Sequence, residues 1–150
     1  GYNAPNSPID NPLQIAAHNY SQKVLDGKVV EMLNEKTTPK FERARILGTK
    51  IFISGTAAIK GESSDMSNDT VEQASITMEI MNRLIAADNI PVANNGAQYE
   101  FLRVYVKRER DIPATRSYMD GHYPAVPKHY LVADICRPEL LVEIEGLAHI

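Results

Sequence analysis

Residues 141–148 read Leu-Val-Glu-Ile-Glu-Gly-Leu-Ala, and this stretch near the end of the chain decides the fold. Apolar and acidic residues alternate in it, as they do in a β-strand with one buried face. Because alternate residues of a strand share a face, Glu143 and Glu145 point the same way, about 7 Å apart, and Val142 and Ile144 pack the opposite face. We therefore predict a sheet strand that carries two carboxylates on one side.

The rest of the chain, taken outward from this strand, predicts six further elements. Asp69 and Glu72 form a capping-box-like pair at the start of the first of two helices. The order ββαβαββ predicts an α+β fold, a mixed β-sheet with two helices packed on one face. Residues 1–12 and 55–68 are rich in small, polar or proline residues and predict no regular element. The six elements are strands at 41–46, 50–54, 99–107 and 129–135, and helices from 69 to about 87 and from 111 to about 120.

Length and composition predict a single globular domain. The chain has 150 residues, 43% of them hydrophobic, which suffices for one buried core. We expect residues 1–37 to form a linker and lead-in segment and residues 38–150 to form the domain. Because the chain lacks an initiator Met, we expect it to be processed or excised from a longer protein.

Charge, hydropathy and cysteine content exclude several classes of function. A net charge of −3 offers no general attraction for nucleic acid. No apolar run approaches about 18 residues, which predicts no membrane span. Cys136 is the single cysteine, which excludes an internal disulfide and a multi-cysteine metal site, and the four histidines lack metal-ligand spacing. We expect no metal, no cofactor and a reduced, cytoplasmic setting.

The paired carboxylates are the first candidates for chemistry. Burial and a neighbouring negative charge both disfavour the ionised form of a carboxyl, so Glu143 could hold a proton near neutral pH and act as a general acid. The alternative is an edge strand with two solvated glutamates. Cys136, seven residues earlier, could be a nucleophile or line a pocket, or it could be a small buried hydrophobe.

Several basic residues are candidates to hold an anionic ligand. Arg137 lies between Cys136 and a proline beside two strand ends, and Arg103 and Lys128 lie in or next to predicted strands. An arginine fork matches a carboxylate in a two-point contact. A solvated charged face is the alternative. Gly55, at the end of a strand, allows the backbone to approach a ligand closely.

Two segments together resemble the Rid (reactive intermediate deaminase, YjgF-like) family. They are Ile-Phe-Ile-Ser-Gly at 51–55 and Val-Glu-Ile-Glu-Gly-Leu-Ala at 142–148. The resemblance implies a chorismate-mutase-like α+β fold and a homotrimer with ligand clefts at the subunit interfaces. It also implies that Glu143 is the glutamate that handles water in the deaminases. Lys128 and Phe41 stand where those deaminases have Arg and Tyr, which puts imine deamination in doubt.

A narrower resemblance, to the C-terminal half of chorismatases, covers nearly the whole chain. It rests above all on residues 130–145, with support from 10–15, 39–44, 54–61 and 102–106. Chorismatases hydrolyse chorismate to pyruvate and a ring product, and they contain two Rid-like halves.

The chorismatase resemblance implies a role for each candidate. Glu143 would protonate the enol methylene, Cys136 would take part in the chemistry, and Arg137 would hold a substrate carboxylate. Arg103, Tyr105, Gly55 and Lys128 complete the expected substrate-binding set. The expected partners are a small carboxylic acid and either two further copies of the chain or a missing N-terminal half.

Three functions stay open at this point. The first is a chorismatase-like hydrolase or lyase that releases pyruvate from an enol-ether acid. The second is a Rid-type deaminase of small enamines or imines. The third is a non-catalytic trimeric module that binds a small acid.

Overall fold

The computed structural model describes residues 6–15, 42–90 and 96–150. Within these ranges a sheet of six strands carries two α-helices, and a two-stranded hairpin lies beside it. The elements are β1 Asn6–Ile9, β2 Ala44–Leu47, β3 Lys50–Ala57, β4 Ile59–Lys60, β5 Ser63–Ser64, α1 Thr70–Leu84, β6 Gln98–Val106, a 3₁₀ turn Glu109–Asp111, α2 Ile112–His122, β7 Lys128–Val132 and β8 Val142–His149.

The sheet has the order β1-β2-β3-β8-β6-β7. Strands β6 and β7 run parallel and the other neighbours run antiparallel, so the sheet is mixed. Helix α1 packs against β3, β8 and α2. These features confirm the predicted α+β fold with two helices. Strand β8, the predicted carboxylate strand, lies near the middle of the sheet with β3 and β6 on either side.

The main core lies between helix α1 and one face of the sheet. Val142 and Ile144 of β8 are fully buried there, as are Met78, Met81 and Leu84 of α1. The predicted alternation in β8 is therefore confirmed. Burying such side chains stabilises the fold by roughly 1.5–3 kcal/mol each.

Helix α1 begins as the sequence predicts. The Asp69 side chain accepts hydrogen bonds from the backbone N–H groups of Val71 and Glu72, at 2.9 and 3.1 Å. These two bonds satisfy N–H groups that the first turn leaves without a helical partner.

Two predictions about irregular segments are wrong. Residues 6–9, predicted to lack an element, form β1, which pairs with β2 at the edge of the sheet. Pro8 is tolerated there because an edge strand does not need every N–H for the ladder. In the predicted loop 55–68, β3 continues to Ala57 and the hairpin β4–β5 follows. Phe41 and the boundary at 37/38 lie outside the described residues, and that domain boundary stays a prediction.

A buried glutamine fixes the connection from β7 to β8. Gln73 of α1 is fully buried; its Nε2 donates to the Glu139 carbonyl at 2.9 Å, and its Oε1 accepts from the Leu141 N–H at 2.7 Å. Lys107 Nζ donates to the carbonyls of Arg137 and Pro138 at 3.0 and 2.9 Å. This connection carries Cys136 and leads directly into Glu143.

Replacing Gln73 with leucine is expected to lower the free energy of unfolding by about 2–4 kcal/mol, because one buried N–H and one buried carbonyl lose their partners. Denaturant titration of the variant and the wild type measures the difference. Gln98→Leu, the same change at an exposed position on β6, is the control. An equal loss of unfolding free energy in the two variants would contradict the role of Gln73 in fixing this connection.

Candidate active site on the open face of the sheet

The sheet face that points away from the helices carries the polar candidates; we call it the open face. In the register of β6 and β8, Arg103 lies opposite Glu145 and Tyr105 lies opposite Glu143. Phe101 of β6 and Phe52 of β3 both lie opposite Leu147, so an apolar row adjoins the polar ones. The structure thus brings Glu143, Arg103 and Tyr105 together, as the alternation in their strands implies.

A bulge in β3 places Gly55 against Glu143. Ile53 pairs with Gly146 and Thr56 pairs with Ile144, so two residues of β3 lie opposite one of β8. A Cβ added to Gly55 would lie 2.8 Å from the Glu143 Cδ and 3.0 Å from its Oε1. The Glu143 carboxyl therefore occupies the space that a side chain at position 55 would need.

This setting favours the protonated form of Glu143. Partial burial raises the pKa of the Glu143 carboxyl, and the negative charge of Glu145 raises it further. Both effects disfavour the ionised form, the first by removing water and the second by repulsion. A carboxyl with a raised pKa, half-buried on an otherwise accessible face, is suited to general acid catalysis.

Glu145 is held by its neighbours on β6. Its Oε1 accepts hydrogen bonds from Arg103 Nη1 at 2.6 Å and from the Tyr105 hydroxyl at 2.8 Å. The Arg103 guanidinium also lies 5.7 Å from the centroid of the Phe101 ring. Arg103 is thus fixed from two sides while its side chain stays 42% exposed, which leaves it accessible to a ligand.

A groove of about 380 Å³ runs along the open face beside these residues. Its walls combine aromatic and aliphatic side chains with one arginine and one carboxylate. Such a lining suits a small ligand that has an apolar body and an acidic group. The lining residues are Phe52, Ile53, Ser54, Phe101, Arg103, Glu145, Gly146 and Leu147.

Cys136 and Arg137 lie in the connection between β7 and β8. The Cys136 thiol is free and the residue is exposed. Arg137 is 6% exposed, and its Nη1 donates to the Glu62 carbonyl at 2.9 Å and to Ser64 Oγ at 2.7 Å. Arg137 therefore braces the hairpin β4–β5 against the connection. Its role as an anion anchor stays a prediction.

Lys128 does not join the cluster on the open face. It pairs in register with Leu102, a fully buried core residue, so its side chain starts on the helix-bearing face. Its ammonium donates to the carbonyls of Tyr123 and Val126 and lies 3.4 Å from Asp120 Oδ1. The side chain is only 4% exposed, so its placement favours a structural role.

Sequence reasoning missed the residues that hold the site. In the sequence Gln73 is one of several polar residues on an amphipathic helix. Its two backbone partners are 66 and 68 residues away, so no local pattern indicates its role. The bond from Arg103 to Glu145 could have been inferred, since both residues were predicted on strand faces.

Among the described residues, no group of three or more His, Cys, Asp or Glu side chains could hold a metal ion. In the same parts of the chain, no helix has the length and apolar character that a membrane crossing requires.

Comparison with known proteins gives both distant and nearer relatives. No protein-family model matches the chain. The chain is 30% identical over 153 residues to a 3-hydroxybenzoate synthase of Streptomyces hygroscopicus, across 93% of this chain and 42% of that protein. A crystal structure of a chorismatase superimposes with a TM-score of 0.79 at 30% identity, across 95% of this chain and 43% of that one. A Mycobacterium tuberculosis member of the YjgF/YER057c/UK114 family superimposes with a TM-score of 0.59 at 15% identity, across 91% and 98%.

The fold and these comparisons define the class: the chain has the YjgF-type α+β fold, as the sequence predicted. Within that class it is similar in sequence and structure to chorismatases, which confirms the narrower predicted resemblance. The chain spans less than half the length of these two relatives at 30% identity. Its correspondence to their C-terminal half stays a prediction.

Glu143→Gln is expected to stabilise the protein at about pH 7 and to change its stability little at about pH 4. The pKa of Glu143 is higher in the folded than in the unfolded chain, so the folded state binds more protons between the two values. Stability therefore falls as pH rises through that window, and glutamine removes the loss. Melting temperatures at both pH values measure the effect, with Glu79→Gln on the exposed side of α1 as the control. An equal shift at both pH values would contradict the raised pKa.

Proposed function

We propose that this chain is the catalytic part of a chorismatase-like hydrolase or lyase, which releases pyruvate from chorismate or a related enol-ether acid. The observation that carries the proposal is the half-buried Glu143 carboxyl, which lies against Gly55 with a raised pKa, on the sheet face that also carries Arg103. The similarity to a 3-hydroxybenzoate synthase and to a chorismatase supports it.

The reaction needs one well-placed acid. Glu143 donates its proton to the methylene carbon of the enol ether, and the electron pair of the double bond forms the new C–H bond. The resulting oxocarbenium ion is stabilised by the negative charge of the nearby substrate carboxylate. Water adds to the oxocarbenium carbon and loses a proton, and the adduct then breaks its bond to the ring oxygen, which leaves pyruvate and a hydroxyl group on the ring. Alternatively, the ring rearranges and loses a proton as its C–O bond to the pyruvyl group breaks. The proton that is set free returns to Glu143.

The remaining candidates bind and orient the substrate. Arg103 is placed to pair with a substrate carboxylate while Phe52, Phe101 and Leu147 contact the ring. Tyr105 lies opposite Glu143, and its hydroxyl, which donates to Glu145, can accept a hydrogen bond from a hydroxyl group of the ligand. Cys136, exposed in the connection before β8, takes part at the ring when the product is a hydroxybenzoate.

The open face requires a cover before it can exclude water. Leu47, Phe52 and Leu131 are 43–51% exposed, and all three lie on this face of the main sheet. Exposed apolar side chains at this density mark an interface. We propose that two further copies of the chain, or a second Rid-like half in the same polypeptide, cover this face and complete a cleft over Glu143. A cytoplasmic location accords with the free Cys136 thiol.

Imine deamination is the alternative, and the placement of Lys128 weighs against it. The carboxylate-binding arginine of the deaminases corresponds to Lys128, whose ammonium instead bonds to two backbone carbonyls near α2. A non-catalytic acid-binding module is the third possibility, and the assay below separates it from the other two.

Full-length protein that contains this chain is expected to release pyruvate from chorismate and to release no ammonia from 2-aminoacrylate generated in situ. Glu143→Gln should lower kcat by about 100-fold or more and leave the Kd of a benzoate-type acid nearly unchanged, since only the proton transfer is lost. Glu79→Gln should behave as wild type. Faster ammonia release without pyruvate would favour the deaminase, and acid binding without turnover would favour the module.

Light scattering of the purified chain at micromolar concentration is expected to give about three times the monomer mass, because the apolar open face is buried when copies associate. Phe52→Glu should shift the mass toward the monomer, and Met66→Glu, at an exposed apolar residue outside the sheet, should not. A monomer at every concentration would contradict self-association and would favour a second half of the same polypeptide as the cover.

A further inference from the structure

Glu145 lies between the proposed acid and the proposed anion clamp. It shares the open face of β8 with Glu143, two residues away, and it lies opposite Arg103 in the register with β6. Arg103 Nη1 and the Tyr105 hydroxyl both donate to its Oε1. One carboxylate thus contacts both β6 side chains that flank Glu143, and none of the roles proposed above explains why it is acidic.

We propose that Glu145 is a positioning residue for this site: it fixes Arg103 and Tyr105 beside Glu143, and its negative charge faces the Glu143 carboxyl along the same strand. This inference rests on the function proposed above and adds to it a residue that orients Arg103 and favours the protonated form of Glu143. It assigns no direct contact between Glu145 and the reacting atoms.

The positioning half of the proposal follows from the contacts of Arg103. A free arginine side chain loses rotamer entropy when it binds a ligand. Here the guanidinium is already fixed between the Glu145 carboxylate and the Phe101 ring. Because part of the ordering cost is met before the ligand arrives, a substrate carboxylate binds a guanidinium that is already oriented.

The effect of the Glu145 charge follows from the residues that surround Glu143. Strand β3 contributes Gly55 and Ala57 there, which carry no charge, and Lys107 is held by two backbone carbonyls. Burial raises the pKa of Glu143, and Glu145 raises it further by repulsion. The ionisable residues on the open face next to Glu143 are Glu145 on β8 and Arg103 and Tyr105 on β6. Lys107 follows β6, and the connection that precedes β8 carries Asp134, Cys136, Arg137 and Glu139.

The two halves together couple binding to protonation. When a substrate carboxylate pairs with Arg103, it adds a second negative charge near Glu143 and further disfavours the ionised form of that acid. Glu143 therefore retains its proton most strongly in the enzyme–substrate complex, where the reaction uses that proton.

Glu145→Gln separates the positioning role of Glu145 from its charge role. Glutamine keeps an oxygen acceptor for Arg103 and Tyr105 and removes the negative charge. In the full-length protein we expect the basic limb of the kcat–pH profile to move to lower pH by on the order of half a unit to one unit. Turnover at the acidic end should be preserved. Glu145→Ala should in addition raise KM for chorismate about tenfold.

The controls distinguish a failure of this inference from a failure of the proposed function. Glu79→Gln should leave the profile unchanged. A folded Glu145→Gln variant whose turnover falls equally at every pH, or does not change, would overturn the charge role. If the wild type releases no pyruvate, NMR titration of the Glu143 carboxyl carbon in wild type and Glu145→Gln gives the same test without turnover. A lower apparent pKa in the variant supports the inference, and an unchanged one overturns it.

Discussion

The structure depends on the burial of Val142 and Ile144 against helix α1. Both side chains are fully buried, and together they contribute roughly 3–6 kcal/mol of hydrophobic stabilisation. Because side chains alternate along a strand, their burial forces Glu143 and Glu145 onto the opposite face. A slip of one residue in register would bury two carboxylates and expose two apolar side chains, so the register is strongly determined. The placement of the candidate acid is thus a consequence of core packing.

The same strand explains how a charge comes to be disfavoured on an open sheet face. The bulge in β3 presses the Gly55 backbone against the Glu143 carboxyl, and Tyr105 lies opposite it on β6. Burial of the carboxyl therefore comes from its two neighbouring strands and does not require a deep pocket. Gln73 and Lys107 fix the connection that enters β8, so the position of Glu143 along the strand is fixed as well.

Features with a local pattern were accessible from the sequence. The alternation of β8, the Asp69 cap of α1 and the shared face of Arg103 and Tyr105 all follow from residues close together in the chain, and the structure confirms them. Strand β1 was missed because a short proline-containing segment gains its stability from pairing with β2, more than 30 residues later. The family resemblance predicts Lys128 in the site, whereas its pairing with Leu102 turns it toward the helices.

The central claim is that the open face around Glu143 is the reaction site, and a crystal structure of the full-length protein with a bound benzoate-type acid tests it most directly. The account predicts the carboxylate of the acid on Arg103, its ring over Leu147 between Phe52 and Phe101, and the Glu143 carboxyl facing the ligand. An acid bound instead on the helix side, in the groove of Arg116 and Lys128, would contradict the account.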